Sequence, residues 1–445
     1  MIRAIDGHAE VQAYLNEVCA QVKAKDVHED IRLEMLNHLE ELTEELIEDR
    51  GLSEKEAVIA SLKQMGDAGP VGKSLHEAHK PKPEWTVIAI VTGMIVIALL
   101  SLIALPASSL STKPFAPKLI YGIVGIAFMS IMYFANYKKL LYLSWPLYGA
   151  TIGFMIWAYL NPHRGDGTGH WFYINESFPF DIYSLSPYLL ILAFAGILHA
   201  QKNKSYSSNP YLKLLLRGVF AIRNLFFMAI VPMFLYFQTP DFDGLIFFII
   251  GFLILLIISG RKGLAAAICA VVPISVLFDD YDKHQLIYGL QRLWEGRNSP
   301  LAAHSLETIR EGGLWGNGVG LALDRLPLIE TEMLFSYLVY SFGWFLGAAI
   351  ALAAFMFILR IIRMALQVQD EYGKWLLIGI STIFALKLLW NLLMCLGISP
   401  FIAVSLPLLQ WGSSSVVEFA LVGLMLSVHR RKDMIGRNKI VEPLT

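Results

Sequence analysis

Apolar residues recur along this chain in two rhythms. Up to about residue 82 they alternate with charge at helical spacing. Val11, Tyr14, Leu15, Val18 and Val22 share one face, and Ile31, Met35, Leu39, Leu42 and Leu46 share another. This predicts two amphipathic helices, the second from about Val27 to Arg50. Gly51 suits a C-terminal cap, and Ser53 with Glu56 makes a capping-box start for a third helix carrying Ala57, Leu62 and Met65, which stops at Gly66-Asp67. Pro81 and Pro83 then form a hinge. Beyond it the rhythm changes to near-continuous apolar runs, several approaching or exceeding the roughly 20 residues that cross a bilayer. The expected architecture is all-α. A small cytoplasmic three-helix domain (1–82) precedes a polytopic membrane domain (83–432) of about ten spans, and a tail (433–445) follows. The spans are expected near 85–106, 118–136, 139–160, 184–200, 218–237, 243–260, 263–278, 333–360, 373–396 and 413–429.

Composition agrees with that class: 56% of the 445 residues are hydrophobic and 16% charged, where a soluble domain is nearer a quarter charged. A net charge of -1 argues against nucleic acid as the main partner. Cys19, Cys269 and Cys395 are too far apart to read as a disulfide framework or a metal site. The chain opens on a polar domain rather than a cleavable signal. Lys138-Lys139, Lys202, Lys204, Lys213, Arg217, Arg261-Lys262, Arg360, Arg363, Lys374 and Arg430-Arg431-Lys432 all fall on one side of the predicted spans. By the positive-inside rule that side, with both termini, is cytoplasmic. The opposite side carries a long excursion from about Asp279 to Glu332, longer than a plain connection needs.

The segment after Trp390-Asn391 carries Gly397-Ile398-Ser399-Pro400, Leu406-Pro407 and Gly412-Ser413-Ser414-Ser415 before a last apolar run. Such breakers at membrane depth leave backbone groups unpaired, which is tolerated only under protein or beside a wet cavity. A broken, re-entrant element is expected there. Lys387 inside the preceding span is costly and should face a partner or a cavity. It would either bind a pyrophosphate oxygen, pair with Glu418 or snorkel. The acidic row Glu40, Glu41, Glu44, Glu45, Glu48 and Asp49 would repel anionic lipid, which favours a protein partner for the first domain.

Four local strings make residues 85–432 resemble the SEDS proteins (shape, elongation, division and sporulation), the FtsW/RodA/SpoVE group. They are Gly169-His170-Trp171 with Phe172-Tyr173-Ile174, Thr239 to Gly244, Ser305 to Gly320 with Gly312-Gly313-Leu314-Trp315-Gly316, and Asn391 to Ser415. The first domain resembles a helical prefix found ahead of other bacterial membrane proteins. The resemblance implies polymerisation of the lipid-linked disaccharide precursor lipid II, an undecaprenyl-linked sugar, at the outer face of the bacterial cytoplasmic membrane. A class B penicillin-binding protein would supply the transpeptidase. In that chemistry a carboxylate in the long outer loop acts as general base on the acceptor hydroxyl.

The family's T-D-F-I-F string reads Thr331-Glu332-Met333-Leu334-Phe335 here, which puts Glu332 at the aspartate's position with one more methylene, and Glu330 lies two residues away. Arg292, Arg297 and Arg310 would hold the pyrophosphate bidentately or remain solvated loop charges. Gly312, Gly313, Gly316 and Gly318 would cradle phosphate through backbone N–H groups. Lys387, Asn391, Ser413 and Ser414 complete the candidate substrate contacts. No soluble cofactor motif is present, and a divalent cation pairing with the pyrophosphate has no ligand cluster to specify it. The family's charged Q-P-S-E-x-x-K segment aligns with Phe180 to Ser186, the E-E pair with Tyr340-Ser341, and a family glutamine with Lys387. Gly and Pro positions follow the family better than its working polar residues do. Two other readings therefore stand beside the enzyme: a non-catalytic scaffold or regulator, and a transporter of lipid-linked precursor.

Overall fold

The protein is seen in a computed structural model that describes residues 5–23, 25, 28–79, 83–106, 115–161, 171–173, 179–202, 219–220, 222–238, 242–269 and 300–432. It divides into two compact units, one running to Glu84 and taking in residues from His429 onward, the other Trp85–Val428.

Among its described residues the first unit has four α-helices, not three: α1 (Ala9–Gln21), α2 (His28–Arg50), α3 (Glu54–Met65) and α4 (Ala68–His79). The predicted faces form its core, with Val11, Leu15, Val18, Ile31, Met35 and Leu39 all buried. Glu56 accepts from both the backbone N–H of Ser53 (3.2 Å) and its hydroxyl (2.6 Å), so the capping box forms. Gly69, Pro70 and Gly72 hid α4 from a reading of helix formers. Proline is harmless in a first turn. Gly72 has a packing reason, because a Cβ there would come within 2.8 Å of Gln21 and the Val18 carbonyl on α1.

The second unit contains α5 (Trp85–Ala104), α6 (Phe115–Phe134), α7 (Leu140–Leu160), a hairpin of β1 (Trp171–Tyr173) and β2 (Pro179–Asp181), α8 (Ile182–Lys202) and α9 (Ile222–Gln238). These are followed by α10 (Phe242–Ile258), α11 (Pro300–Glu311), α12 (Leu334–Phe342), α13 (Trp344–Gln367), α14 (Glu371–Cys395) and α15 (Ser413–Arg430). Among the described residues, Trp85–Ala104, Tyr137–Leu160, Ile182–Lys202, Trp344–Gln367 and Glu371–Cys395 are long and apolar enough to cross a membrane. Three shorter apolar helices accompany them. Phe128, Phe134, Leu352 and Phe355 remain exposed on these helices, as a lipid-facing surface requires. α8 is the central one, packed against α7, α10 and α14 and buried almost throughout.

The predicted span over 333–360 is divided. Gly343 adopts φ +84, a left-handed value that ends α12 and starts α13. A Cβ there would overlap the main chain at Leu314. The membrane-length helix is therefore α13, while the nine residues of α12 form a short helix buried inside the protein.

Candidate active site

Glu332 lies in the turn that leads into α12, half-buried. Its conformation is imposed from several directions. Leu328 takes φ +59, an uncommon value for a branched side chain. The Leu328 carbonyl accepts from the N–H groups of Thr331 (3.1 Å) and Met333 (3.0 Å), closing a tight loop around Glu332. Glu330 forms an ion pair with Lys118 Nζ at 2.9 Å, both side chains largely buried, which ties this loop to α6. The Glu332 carboxylate accepts from the Thr331 hydroxyl. The Glu332 main-chain carbonyl accepts from Asn391 Nδ2 at 3.0 Å and from Cys395 Sγ at 3.6 Å, both on α14.

The same Asn391 amide donates to the Val404 carbonyl at 2.6 Å. It thus joins Glu332 to the irregular 396–412 segment. That segment is the expected broken element, and protein covers it. Phe401, Ile402, Val404, Leu406, Leu408 and Leu409 are buried. Trp390 Nε1 donates to the Pro400 carbonyl (3.2 Å), and Ser399 Oγ donates to the Trp390 carbonyl (3.3 Å). These contacts supply the backbone partners that lipid cannot. Trp411 closes the segment, donating from Nε1 to the Ala98 carbonyl at 2.6 Å and packing against Gly122, where a Cβ would overlap its ring.

The ends of α14 give the site its depth. At the first end Glu371 pairs with Lys202 at 2.6 Å, Asp370 accepts from the Tyr137 hydroxyl at 3.0 Å, and Arg261 donates to Gln201 at 2.9 Å. Asn391 lies 20 residues beyond Glu371, about 30 Å at 1.5 Å per residue, which is the thickness of a hydrocarbon core. Glu332 therefore stands at the end opposite the basic loops. There the Tyr337 hydroxyl donates to the Ala104 carbonyl (2.7 Å), and Gly320 N–H donates to the same carbonyl (2.8 Å).

Two expectations are corrected here. The glycines of the long loop do not offer a free N–H cradle, because their N–H groups already have acceptors. Gly312 donates to the Thr308 carbonyl, Gly313 to Arg310, Gly316 to Gly312 and Gly318 to Ser341. Gly312 and Gly316 serve close approach instead, while Gly313 and Gly318 face open space and take left-handed φ values. A Cβ on Gly312 or Gly316 would overlap the main chain at Val339 or Ser341. Lys387, in turn, neither snorkels nor faces an open chamber. It is 3% exposed, and its Nζ donates to the Ser184 carbonyl (3.1 Å) and lies 3.2 Å from the Ser184 hydroxyl, with the Tyr188 ring 5.0 Å away. Its charge also acts on buried Glu418. The pyrophosphate contact assigned to it gives way to an internal role.

The remaining candidates are spread out. Arg310 is exposed in the last turn of α11, on the same loop as Glu332. The Arg325 guanidinium binds Glu311 nearby, and that bond holds its pKa above the ordinary value. Ser413 (buried) and Ser414 (half-buried) open α15, and Ser415 Oγ closes onto the Gly412 carbonyl at 2.6 Å. Arg292, Arg297, His170 and Asp241 lie outside the described residues, as does the tail. Among the described residues no three His, Cys, Asp or Glu side chains gather as a metal-binding group. The sequence reading missed Lys118. A lysine heading an apolar run on the side away from the basic loops was the available signal.

Residues 83–434 match the family model described as cell cycle protein, FtsW/RodA/SpoVE. The chain belongs to this family. Its FtsW/RodA/SpoVE region is similar to stage V sporulation protein E of Bacillus subtilis (strain 168), 32% identical over 130 residues, covering 28% of this chain and 36% of the relative. It is also similar to the peptidoglycan glycosyltransferase MrdB of Escherichia coli (strain K12), 28% identical over 229 residues, covering 47% of this chain and 60% of that protein. Each of these matches spans less than two thirds of the relative's own length. A structure described as showing coordination of polymerization and crosslinking by a peptidoglycan synthase complex shares the fold, with TM-score 0.59 at 19% identity. It covers 79% of this chain and 98% of the matched one. The FtsW/RodA/SpoVE fold is that of a multi-pass membrane protein, and the helices described above agree with it.

Proposed function

We propose that the protein is a peptidoglycan glycosyltransferase that polymerises lipid II, with Glu332 as general base. The observation that carries this reading is Glu332 itself. It is a half-buried carboxylate whose main chain is clamped by Asn391, at the end of the bundle opposite the basic loops, in a family with relatives named for this activity. In the proposed step the Glu332 carboxylate takes the proton of the acceptor sugar hydroxyl, and the hydroxyl oxygen forms the new glycosidic bond to the donor's anomeric carbon. The bond from that carbon to the lipid pyrophosphate breaks, and the pyrophosphate leaves with the electron pair. A base acts within hydrogen-bond reach of the proton it removes, so the clamp on Glu332 matters as much as its charge. Arg310, exposed on the same loop, is the proposed pyrophosphate contact. The proposed orientation has both termini and the basic loops in the cytoplasm, with Glu332 at the outer face. A class B penicillin-binding protein is the proposed partner, by analogy with the synthase complex whose fold is shared.

The experiment is polymerisation of purified lipid II by the full chain, with Glu332→Gln, Glu332→Ala and Glu332→Asp, each with and without a candidate penicillin-binding protein. Glu332→Gln and Glu332→Ala should abolish glycan strands while the protein stays folded, and full activity in either would remove Glu332 as base. A second reading, a non-catalytic scaffold, is favoured by one observation. The N-terminal unit has a complete core of its own and an exposed acidic helix face, as a docking domain would. It predicts no polymerisation by the wild type and loss of function on removing residues 1–80.

A further inference from the structure

Glu418 projects from α15 into the bundle, 2% exposed. One carboxylate oxygen accepts from the backbone N–H of Leu408 at 3.0 Å. Leu408 takes φ +66, the second left-handed leucine beside the site and, like Leu328, costly enough to need outside support. Four residues earlier in the same segment, the Val404 carbonyl is held by Asn391, which also holds the Glu332 carbonyl. The turn between Val404 and Leu408 is thus pinned from α15 at one end and from α14 at the other. Lys387, one helical turn before Asn391 on α14, is held by Ser184 and Tyr188 of α8, and its charge acts on Glu418.

We infer that Glu418 is a positioning residue for the reaction: by anchoring the Leu408 turn it sets Val404, and through Asn391 the main chain of Glu332. The inference rests on the glycosyltransferase reading for its kinetic consequence but not for its structural one.

The test compares Glu418→Ala with Glu418→Gln in the full-length protein. Both are built on a Lys387→Met background, which removes the buried ammonium whose charge acts on Glu418. Both pairs lack the charges, but only the glutamine keeps an oxygen for the Leu408 N–H. The alanine pair should polymerise lipid II with a kcat about 100-fold below that of the glutamine pair at similar KM, the scale of an ångström's misplacement of a catalytic group. Hydrogen exchange should quicken in peptides covering 402–411 and 328–335 in the alanine pair alone, while α5 and α13 keep their protection. Equal kcat in the two pairs, or faster exchange confined to 402–411, would overturn the inference. If the wild type makes no polymer, the glycosyltransferase reading fails. The exchange data then decide this proposal: unchanged protection over 328–335 rejects it.

Discussion

Asn391 Nδ2 bonds the main-chain carbonyls of Glu332 at 3.0 Å and Val404 at 2.6 Å, so one buried side chain joins the candidate base to the re-entrant segment. Two acceptors facing one amide leave no doubt which end of it points inward. Asn391→Ala strands the Val404 carbonyl, at about 1–3 kcal/mol for a buried acceptor left alone, and leaves the Glu332 carbonyl only the weak Cys395 thiol donor. Asn391→Asp sets a carboxylate against the same two oxygens and should be worse than alanine. Thermal midpoints in detergent at a fixed scan rate should rank wild type above Ala above Asp, with lipid II polymerisation falling in the same order. An aspartate variant as stable as the alanine one would show that the bridge is not formed.

The glycines of the long loop separate two effects that are usually confounded. Gly316 (φ +80) would put a Cβ onto the main chain of Ser341, whereas Gly313 (φ +54) faces open space. Gly313→Ala should therefore cost only the left-handed backbone term, about 1–2 kcal/mol. Gly316→Ala adds a clash with backbone that cannot yield and should open the 312–344 region. Limited proteolysis of that region should accelerate strongly for Gly316→Ala and weakly for Gly313→Ala.

Lys118 and Glu330 make a largely buried ion pair at 2.9 Å that ties α6 to the loop carrying Glu332. Removing one member of a buried pair typically costs about 3–5 kcal/mol, while replacing both is far milder. Lys118→Met should lower the thermal midpoint sharply, and adding Glu330→Gln should recover most of the loss. No recovery in the double variant would mean that Lys118 matters for something other than Glu330.

Within the N-terminal unit, the hydrogen bonds from Ser53 hold the Glu56 carboxyl below its ordinary pKa. A depressed folded value means that this contribution is complete above the unfolded pKa, roughly 4.3. It fades as pH falls through the lower folded value. Glu56→Gln keeps a capping-box acceptor without the titration. The stability difference between wild type and Glu56→Gln should be constant from neutral pH to about 5 and shrink below about 4. A difference that grows on acidification would contradict the sign.

Period and punctuation in the chain determined a good deal. Three-and-a-half-residue recurrence defined α1 to α3, Ser53 and Glu56 marked a helix start that forms as read, and long apolar runs marked the membrane helices. The Pro and Gly-Ser clusters after Asn391 identified the irregular segment, because breakers act on the backbone of their own neighbourhood. Only the tertiary structure decided what those residues touch. It cut the 333–360 run at Gly343, formed α4 across three breakers, made Gly312 and Gly316 close-packing points, and gave Lys387 to Ser184. The reason is the range of the forces involved. Amphipathic period and backbone preference are local and can be read along the chain. Close approach of two backbones, or neutralisation of a buried charge, depends on which residue of another helix arrives opposite.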